Sequence, residues 1–514
     1  MEVEDSAKMS HHPIYVLIDE LKSPELERKK KAIRNIRTLA IVLGPEETRS
    51  ALLKDITDLI EEKEVLMELL NLDTFVDLLH FVGGTKHFKS ILAPLESLLT
   101  REDQDTREKA WEIVKGLVNN QRVKEVQDDM MEIITKLING EWWKSKTSGI
   151  TLAIHMLTLN IKEDIKDKIK KFIIKCTNDS IFHVRKEVAI CLPQLVDLIP
   201  TFQKEKVLQI FEYLTDDVSD AVRTECVEGL FNFCLKADSF TMISEKLLPI
   251  IYKSFGDSAW RIRKQWVEGI SRLFVIVRES ETEVDKLWDQ YILFLNDNDG
   301  QVKEAAIKIM ENLIEFVSEE KYKNDIVPVI ETLYKDKSMR VRKAIAEHSL
   351  QIWETIGKDA WERVFLPLFI ELINDKDKGV SMAIITHLGT LWKVIDTKLV
   401  KSDLAECCKK MLDVTDWREK TNLLNQFSNF AKILGKEHFT EMFLEILKDN
   451  LSDRIYQIRK NTVNVLCKCT EEFGIEWFFK SIIVYLYAFK SDQNYLHRQT
   501  PLFMLKQISG LLIQ

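Results

Sequence analysis

Glycine and proline are scarce in this chain of 514 residues, which contains only 16 and 10 of them. Their scarcity disfavours sheet-rich folds with many tight turns, because such turns depend on these two residues. No stretch rich in Pro, Gly or Ser divides the chain, although its length alone would allow roughly two to four domains. Lys, Glu, Leu and Ile dominate instead, a composition typical of long helical arrays.

Long apolar runs are also missing. The longest, IIVYLYAF at 482–489, is too short to span a bilayer. The opening MEVEDSAKMSHHP is acidic and polar and lacks the apolar core of a secretory signal peptide, and we expect residues 1–12 to form a short disordered segment. A net charge of −9 disfavours a broad nucleic-acid surface. The sequence therefore predicts neither a membrane nor a nucleic-acid partner.

The eight cysteines occur without CxxC spacing. Two close pairs, Cys407 with Cys408 and Cys467 with Cys469, allow a metal or redox interpretation, but His and Cys partners at ligand spacing are missing. We interpret the cysteines as reduced thiols of a cytoplasmic or nuclear protein. No metal ion and no cofactor is predicted.

Catalytic signatures are absent as well. The chain has no GxxxxGK(S/T), HExxH or GxSxG motif and no Rossmann glycine fingerprint. GGTKHFKS at 83–90 has glycines and a lysine at the wrong spacing for a phosphate loop. The ten histidines are scattered. An unrecognised active site would interrupt the apolar pattern described below with a polar cluster, and none is present. The sequence predicts that the protein is not an enzyme.

What the chain has is an internal repeat. In NDSIFHVRKEVAICL, Asp179 stands six residues before Arg185, and this arrangement returns along the chain. Later pairs are Asp217/Arg223, Asp257/Arg263, Asp297/Lys303, Asp336/Arg342, Asp375/Ser381, Asp453/Arg459 and Asp492/Arg498. In five further units only the second position of the pair is recognised, and it is occupied by Lys29, Leu66, Arg107, Lys146 and Lys420. We call the acid the repeat aspartate and the residue six later the basic position. Steps of 37 to 41 residues give about thirteen units of about 39 residues.

Each unit is predicted to be a pair of helices. After Asp297, the residues Val302, Ala305 and Ala306 begin an apolar face with helical spacing. The repeat aspartate stands at the expected N-cap position of the second helix. The aligned acids and bases would form a ladder of solvated ion pairs, each of which contributes little to stability. Because one pair cannot bury its face alone, we expect residues 13–514 to stack into a single all-α solenoid, a superhelix of about thirteen pairs.

Large aromatic residues recur in the turns between paired helices, just before the basic position. They are Trp142, Trp143, Phe182, Trp260, Trp417, Tyr456 and Tyr495, and Arg261 and Arg418 directly follow two of the tryptophans. A solenoid without catalytic residues typically binds proteins along such a strip, with aromatic and arginine side chains as anchors. Local packing is the alternative role of each aromatic, and the sequence leaves both open.

Seven segments, spread over nearly the whole chain, carry a resemblance to a known family. They are PIYVLIDELKS at 13–23, LGPEETRSALL at 43–53, LAPLESLLT at 92–100, NGEWWKSKTS at 139–148, DSAWRIR at 257–263, DRIYQIR at 453–459 and, most specific, NYLHR at 494–498. The chain resembles the HEAT-repeat scaffold (A, regulatory) subunit of protein phosphatase 2A. The resemblance implies HEAT repeats and a non-catalytic scaffold.

The resemblance also implies partners. In that family the later repeats hold the phosphatase catalytic subunit, whereas the earlier repeats hold a regulatory (B-type) subunit. By matching motif, the residues facing the catalytic subunit would be Trp417, Arg418, Tyr456, Arg459, Tyr495 and Arg498. Those on the regulatory-subunit side would be Glu64, Glu102, Trp143, Phe182, Arg185, Lys186, Trp260 and Arg261. The chemistry and its two metal ions would belong to the catalytic partner.

The chain also departs from the family. The family has fifteen repeats, so the last two are expected to be absent here. Phe182 replaces a proline of the family, and Pro501 falls inside the expected last helix, where it should kink the helix or delay its start. Leu502, Leu505, Ile508, Leu511 and Leu512 then follow helical spacing. We expect a partner to cover that face, with truncation and self-association as alternatives. A HEAT-type nuclear transport receptor is the alternative function.

Overall fold

The computed structural model describes residues 18–119, 122–198, 201–237, 239–349, 366–391 and 416–512, together with 352, 406 and 408–412. All regular structure in these residues is helical, which confirms the predicted all-α class. The expected disordered segment at 1–12 and Cys407 lie outside the described residues. In the part of the chain that is described, no helix is long and apolar enough to cross a membrane.

The chain divides into two compact units, residues 1–262 and 263–514. The α-helices of the first unit are Leu26–Arg34, Ile36–Glu47, Leu53–Ile60, Lys63–Leu69, Leu72–Phe81, Phe88–Leu99, Gln104–Leu117, Val123–Ile138, Trp143–Leu157, Glu163–Thr177, Phe182–Leu198, Thr201–Thr215, Asp220–Leu235, Phe240–Met242 and Leu248–Phe255. Single π-helical or 3-10 turns occupy Thr48–Leu52, Thr85–His87 and Ile243–Leu247.

The second unit has the same kind of helix succession. Its α-helices are Trp260–Val277, in which the boundary falls, Glu281–Leu295, Gly300–Ile309, Glu319–Tyr334, Met339–Glu347, Leu366–Ile373, Lys378–Leu391, Trp417–Asn450, Tyr456–Phe473, Ile475–Ser481, Ile483–Ala488 and Tyr495–Leu512, with 3-10 turns at Met310–Phe316 and Phe489–Ser491. The range Trp417–Asn450 is two helices that meet at Gly435, whose φ of 71° favours glycine. Pro501 lies inside the last helix, which begins before it at Tyr495.

The two helices of a repeat pack through their apolar faces. Val302, Ala305 and Ala306 are at most 4% exposed, which confirms the predicted face. Tyr291 of the preceding helix donates its hydroxyl hydrogen to the carbonyl oxygen of Ala306 at 2.9 Å. Within each unit, the second helix of one repeat packs beside the second helix of the next. The result is the predicted α-solenoid architecture, in which neighbouring repeats share one core.

The repeat aspartate closes the turn before the second helix and does not cap the helix itself. In eight repeats its carboxylate accepts a hydrogen bond of 2.7–3.0 Å from the backbone N–H two residues later. The helix begins three residues after the aspartate, as at Tyr456 after Asp453. In several repeats the helix is capped by the side chain of the residue two positions after the repeat aspartate, for example by Asp299 and Asn494. The prediction that the repeat aspartate is the N-cap was wrong. An aspartate carboxylate can also accept a hydrogen bond from the backbone N–H two residues later, and here it does so.

The same carboxylate receives the basic residue of the preceding repeat. Arg185 donates from Nε and Nη2 to Asp217 at 2.6 and 2.8 Å, and from Nη1 to the carbonyl oxygen of Asp179 in its own turn at 2.7 Å. The same two-pronged contact joins Arg223 to Asp257, Arg263 to Asp297 and Arg342 to Asp375. Lys146 and Lys303 make single contacts of 2.6 Å to Asp179 and Asp336. We call these contacts the charge ladder, since each joins two neighbouring repeats.

The arginine contacts of the ladder are largely buried. Their arginine side chains are 7–16% exposed and their aspartate side chains 3–9%. The prediction of a solvated ladder was therefore wrong. Burial removes water from both charges, so the bidentate geometry and the extra hydrogen bonds in the turn must offset that cost. Arg107 shows what happens when the aspartate is missing. The next repeat has Gly140 at the aspartate position, and the buried Nε of Arg107 has no hydrogen-bond partner among the described residues.

The stability of the fold should fall when Asp217 is protonated. Burial raises the pKa of Asp217, but hydrogen bonds from Arg185 and from the backbone N–H of Ser219 outweigh burial, so the net pKa is lowered. The unfolded chain therefore binds this proton more readily than the folded chain does. The stabilisation is complete well above the unfolded pKa of about 3.9 and is lost as the pH falls through the lower folded pKa.

Urea unfolding of the wild-type protein and of Asp217→Asn measures this effect. We expect the wild-type protein to be more stable at neutral pH, and the difference to shrink as the pH falls from about 5 to about 3. A difference that stays constant over this range would contradict the assignment of Asp217 to the charge ladder.

Candidate protein-interaction ridge

Six of the predicted contact residues share one place in the fold, the first residue of a second helix. They are Trp143, Phe182, Trp260, Trp417, Tyr456 and Tyr495, and each stands three residues before the basic position. Tyr495 is 60% exposed, Tyr456 47%, and Phe182 and Trp417 37% each, whereas Trp143 and Trp260 are half-buried. We call the strip of these residues and their direct neighbours, taken within each unit, the turn ridge.

Cations stack on the tryptophans of the turn ridge. The guanidinium carbon of Arg418 lies 4.7 Å from the ring centre of Trp417, and that of Arg261 lies 4.8 Å from the ring centre of Trp260. Both arginines are exposed. A stacked arginine keeps its N–H donors in the plane of the guanidinium, where a carboxylate or phosphate can accept them. Each pair therefore offers an apolar ring and a directed positive charge on one exposed turn.

An aromatic stack joins two repeats of the first unit. The rings of Trp143 and His183 are 4.2 Å apart with an angle of 17° between their planes. His183 and Phe182 are consecutive residues of the second of these repeats, and their rings lie 3.9 Å apart. Partial burial and the nearby charge of Lys186 lower the pKa of His183, so this ring is neutral at pH 7. A neutral imidazole completes a mostly apolar surface across the two turns.

The charged residues predicted for the regulatory side lie beside this stack or on an exposed turn. Lys144 stacks on Trp143, and its Nζ lies 3.8 Å from an oxygen of Glu102. Lys186 makes an ion pair of 3.1 Å with Glu225. Glu64 is exposed in the first turn of its helix. All eight residues predicted for this side lie within the first unit, and all six predicted for the catalytic-subunit side lie within the second.

Three of the predicted contact residues occupy basic positions, and two of them, Arg185 and Arg459, are largely buried and stabilise the repeat itself. Arg185 makes the bidentate contact with Asp217 described above. Arg459 is 3% exposed and donates from Nη1 to two carbonyl oxygens of its own turn at 2.7 and 3.2 Å. These side chains position the turns that carry Phe182 and Tyr456. Arg498 also occupies a basic position, but its side chain is exposed.

Sequence reasoning missed His183 and Lys144 as parts of the ridge. Both stand two residues before a basic position, the place that Arg261 and Arg418 occupy in other repeats. The recurrence of a cationic or imidazole side chain at this one place was the available signal. The structure shows why this place is part of the ridge, because His183 and Lys144 both stack on the ring of Trp143.

The cysteines lie away from any such chemistry. The seven that are described are buried and form no disulfide bond among the described residues. Burial raises the pKa of Cys176 to about 11 and that of Cys234, Cys467 and Cys469 to about 12, so these thiols stay protonated. Within the described ranges, no group of three or more His, Cys, Asp and Glu side chains is placed to hold a metal ion.

Known proteins are similar to this chain in sequence. The family model described as PIK3R4-like, middle domain, matches residues 130–414. A probable serine/threonine-protein phosphatase PP2A regulatory subunit of Caenorhabditis elegans is 31% identical over 237 residues, which are 45% of this chain and 39% of that protein. The A-type regulatory subunit of protein phosphatase PP2A from Saccharomyces cerevisiae is 26% identical over 289 residues, 54% of this chain and 45% of that protein. The resemblance predicted from the sequence is confirmed, over less than half the length of these two relatives.

A solved structure shares the fold. The crystal structure of Kap121p bound to Pho4p aligns with a TM-score of 0.57 and 12% sequence identity, covering 97% of this chain and 57% of that chain. At this identity the likeness concerns the fold alone, and it agrees with the solenoid of helix pairs described above.

Proposed function

This chain belongs to the family described as PIK3R4-like, middle domain, and we propose that it is the non-catalytic scaffold of a protein phosphatase 2A-like Ser/Thr phosphatase. The class of partner comes from the two relatives, which are PP2A regulatory subunits. The chain contributes surfaces rather than catalytic groups, and the catalytic partner supplies the metal ions and the chemistry. A scaffold acts by raising the effective concentration of one bound partner near the other.

The turn ridge of the second unit is the proposed surface for the phosphatase 2A-type catalytic subunit. The observation that carries this assignment is the exposed pair of Trp417 and Arg418, stacked at 4.7 Å. Tryptophan and arginine are the residue types enriched at the energetic centres of protein interfaces. Tyr456 and Tyr495 extend the surface on the next two turns, with exposures of 47% and 60%.

The turn ridge of the first unit is the proposed surface for a regulatory B-type subunit. Trp143, His183 and Phe182 provide a continuous aromatic area there. The exposed carboxylates of Glu64 and Glu102 provide polar contacts on earlier turns. Such a combination of aromatic anchors with a polar border is the usual composition of a protein interface.

Affinity capture from a native extract tests the proposal. The intact tagged chain should retain a Ser/Thr phosphatase catalytic subunit, identified by mass spectrometry and by okadaic-acid-sensitive phosphatase activity in the eluate. Failure of a folded chain to retain such a subunit would contradict the proposed function. The extract should be cytoplasmic and nuclear, because we propose that the scaffold works in these compartments, where buried cysteines remain thiols.

A paired substitution tests the regulatory surface separately. Trp260→Ala with Arg261→Ala removes a stacked pair from the first unit, and we expect it to weaken binding of a B-type subunit by about 2 kcal/mol, roughly thirtyfold. Binding of the catalytic subunit should stay close to wild type. Surface plasmon resonance with each purified partner measures both affinities, and equal losses for the two partners would argue against separate surfaces.

The alternative prediction, a nuclear transport receptor, rests on the solenoid class alone. The likeness to Kap121p adds nothing to it, because 12% identity concerns the fold and not the function.

A further inference from the structure

The first unit contains an apolar groove between the first helices of two neighbouring repeats. These helices are Glu163–Thr177 and Thr201–Thr215, and the groove between them has a volume of about 280 Å³. Its floor is formed by Ile173, Leu195 and Val207, which are at most 3% exposed. The groove therefore reaches down to the apolar core that the two repeats share.

The apolar lining also extends to the surface. Ile174 lines the groove and is 45% exposed, and Ile210 on the opposite helix is half-buried. Ile174 stands eleven residues before the basic position, a place that the preceding and following repeats fill with Thr135 and Glu212. An isoleucine where the neighbouring repeats have polar residues gives the groove an apolar wall that a partner can bury.

The groove lies in the middle of the first unit, between repeats that are described on both sides. The two repeats that form it are already packed on each other, because Arg185 of one makes its bidentate contact with Asp217 of the other. An additional repeat stacks on an end of such an array and does not enter between two packed pairs. The open groove is therefore a property of this junction, whatever precedes or follows the array.

The rim of the groove is basic. Lys170 and Lys171 line it from one helix and Lys206 from the other, together with a single acid, Asp167. Lys170 and Asp167 form an exposed ion pair of 3.3 Å, a type of contact that contributes little. Within the described ranges, no carboxylate lies within ion-pair distance of Lys171 or Lys206, and Glu205 beside Lys206 is engaged by Lys246. A chain of net charge −9 thus carries a local excess of positive charge around an apolar groove.

We propose that this groove is a docking site for an acidic amphipathic helix of a partner protein. Apolar side chains of that helix would contact Ile174, Val207 and Ile210, since a third helix can place its side chains between the ridges of two packed helices. Carboxylates beside them would accept hydrogen bonds from Lys171 and Lys206. A basic helix of the same shape would be rejected, because it would place like charges against the rim.

The proposal does not rest on the proposed phosphatase function. None of the residues that line the groove belongs to the turn ridge, so a partner bound here leaves the aromatic residues of the ridge accessible. A variant with a disabled groove should therefore still retain the phosphatase catalytic subunit in the affinity capture described above. Failure of that capture with the wild-type chain would concern the proposed function alone.

Binding of two designed peptides to the full chain provides the test. The acidic probe is a fluorescein-labelled helical peptide with leucines at helical spacing on one face and glutamates on the other. The basic probe has the same leucines and a lysine in place of each glutamate. Fluorescence anisotropy should show that the acidic probe binds about tenfold more tightly or better, and that added salt narrows this difference.

Substitutions in the groove locate the binding. Lys171→Glu with Lys206→Glu, and separately Ile174→Asp, should each weaken binding of the acidic probe about tenfold or more. Lys168→Glu is the matched control, because Lys168 is exposed on the same helix but does not line the groove, and it should change the affinity less than about threefold. All of these side chains are exposed, so the denaturation midpoints of the variants should stay close to that of the wild-type protein.

Three outcomes would overturn the proposal. The first is equal affinity, or no binding, of the acidic and basic probes. The second is binding of the acidic probe that the groove substitutions leave unchanged, or that a benzophenone-labelled probe cross-links outside residues 163–215. The third is co-sedimentation of the chain with phosphatidylserine vesicles, abolished by Lys171→Glu with Lys206→Glu, without binding of the acidic probe. That last result would identify an anionic membrane surface as the occupant.

Discussion

Replacement of Arg223 by alanine should destabilise the first unit by about 3–5 kcal/mol, because it leaves a buried carboxylate without its counterion. Arg223 is 13% exposed and its partner Asp257 is 6% exposed, and the two are joined by hydrogen bonds of 2.7 and 2.9 Å. The same arginine donates to the carbonyl oxygen of Asp217 in its own turn at 2.6 Å. The substitution therefore removes contacts on both sides of one junction between repeats.

Chemical denaturation followed by circular dichroism measures this loss, and hydrogen exchange locates it. Lys253→Ala is the matched control, because Lys253 and Asp216 form an ion pair in the same part of the fold with side chains 62% and 53% exposed. That change should cost at most about 1 kcal/mol. The double variant Arg223→Met with Asp257→Asn should recover part of the loss, since it removes both charges together while the amide oxygen can still accept the turn hydrogen bond from Ala259. Similar losses in Arg223→Ala and in Lys253→Ala would show that burial of the ladder has no energetic weight.

Replacement of both Trp417 and Arg418 by alanine should weaken binding of the catalytic subunit by about 2–4 kcal/mol, a loss of roughly thirtyfold to a thousandfold. The pair forms one exposed unit in which the arginine stacks on the indole. Trp417 is 37% exposed before any partner binds, so its burial in an interface would add to the affinity. Isothermal titration calorimetry with the purified catalytic subunit measures the change.

The fold should survive this double substitution. Both residues lie in the first turn of their helix and outside the core, so the denaturation midpoint should remain close to that of the wild-type protein. Phe479→Ala is a matched control for loss of an exposed aromatic ring, because Phe479 is 47% exposed in the second unit and lies outside the turn ridge. Unchanged affinity of the Trp417/Arg418 variant, or an equal loss in Phe479→Ala, would contradict the assignment of the ridge.

The helix pairs and their register could be predicted because they depend on short-range patterns. Val302, Ala305 and Ala306 show the helical period within a few residues, and the structure buries all three. The repeat aspartate was placed correctly in the turn but given the wrong hydrogen-bond partner. Asp453 and Asp492 bond the backbone two residues later, an alternative that the same local sequence allows.

The candidate site could be predicted only in part. The six aromatic residues occupy the predicted turns, because their position depends on the period of the repeat. Their neighbours could not be derived in the same way. His183 contacts Trp143 of the preceding repeat, and Arg459 proved to be buried at 3% exposure although its sequence setting matches that of the exposed Arg498. Such differences depend on which repeat packs next to which.

The sequence by itself determined the helical class, the period of about 39 residues, the place of each turn and the aromatic residues on it, since all of these follow from spacing along one chain. The tertiary structure alone decided which charges meet. An acid and a base six residues apart look like partners in the sequence, yet Arg185 makes its ion pair with Asp217 and Arg263 with Asp297. Stacking of helix pairs brings residues of neighbouring repeats within hydrogen-bond distance and removes water from between them. That stacking turned a ladder expected to be solvated into a buried one.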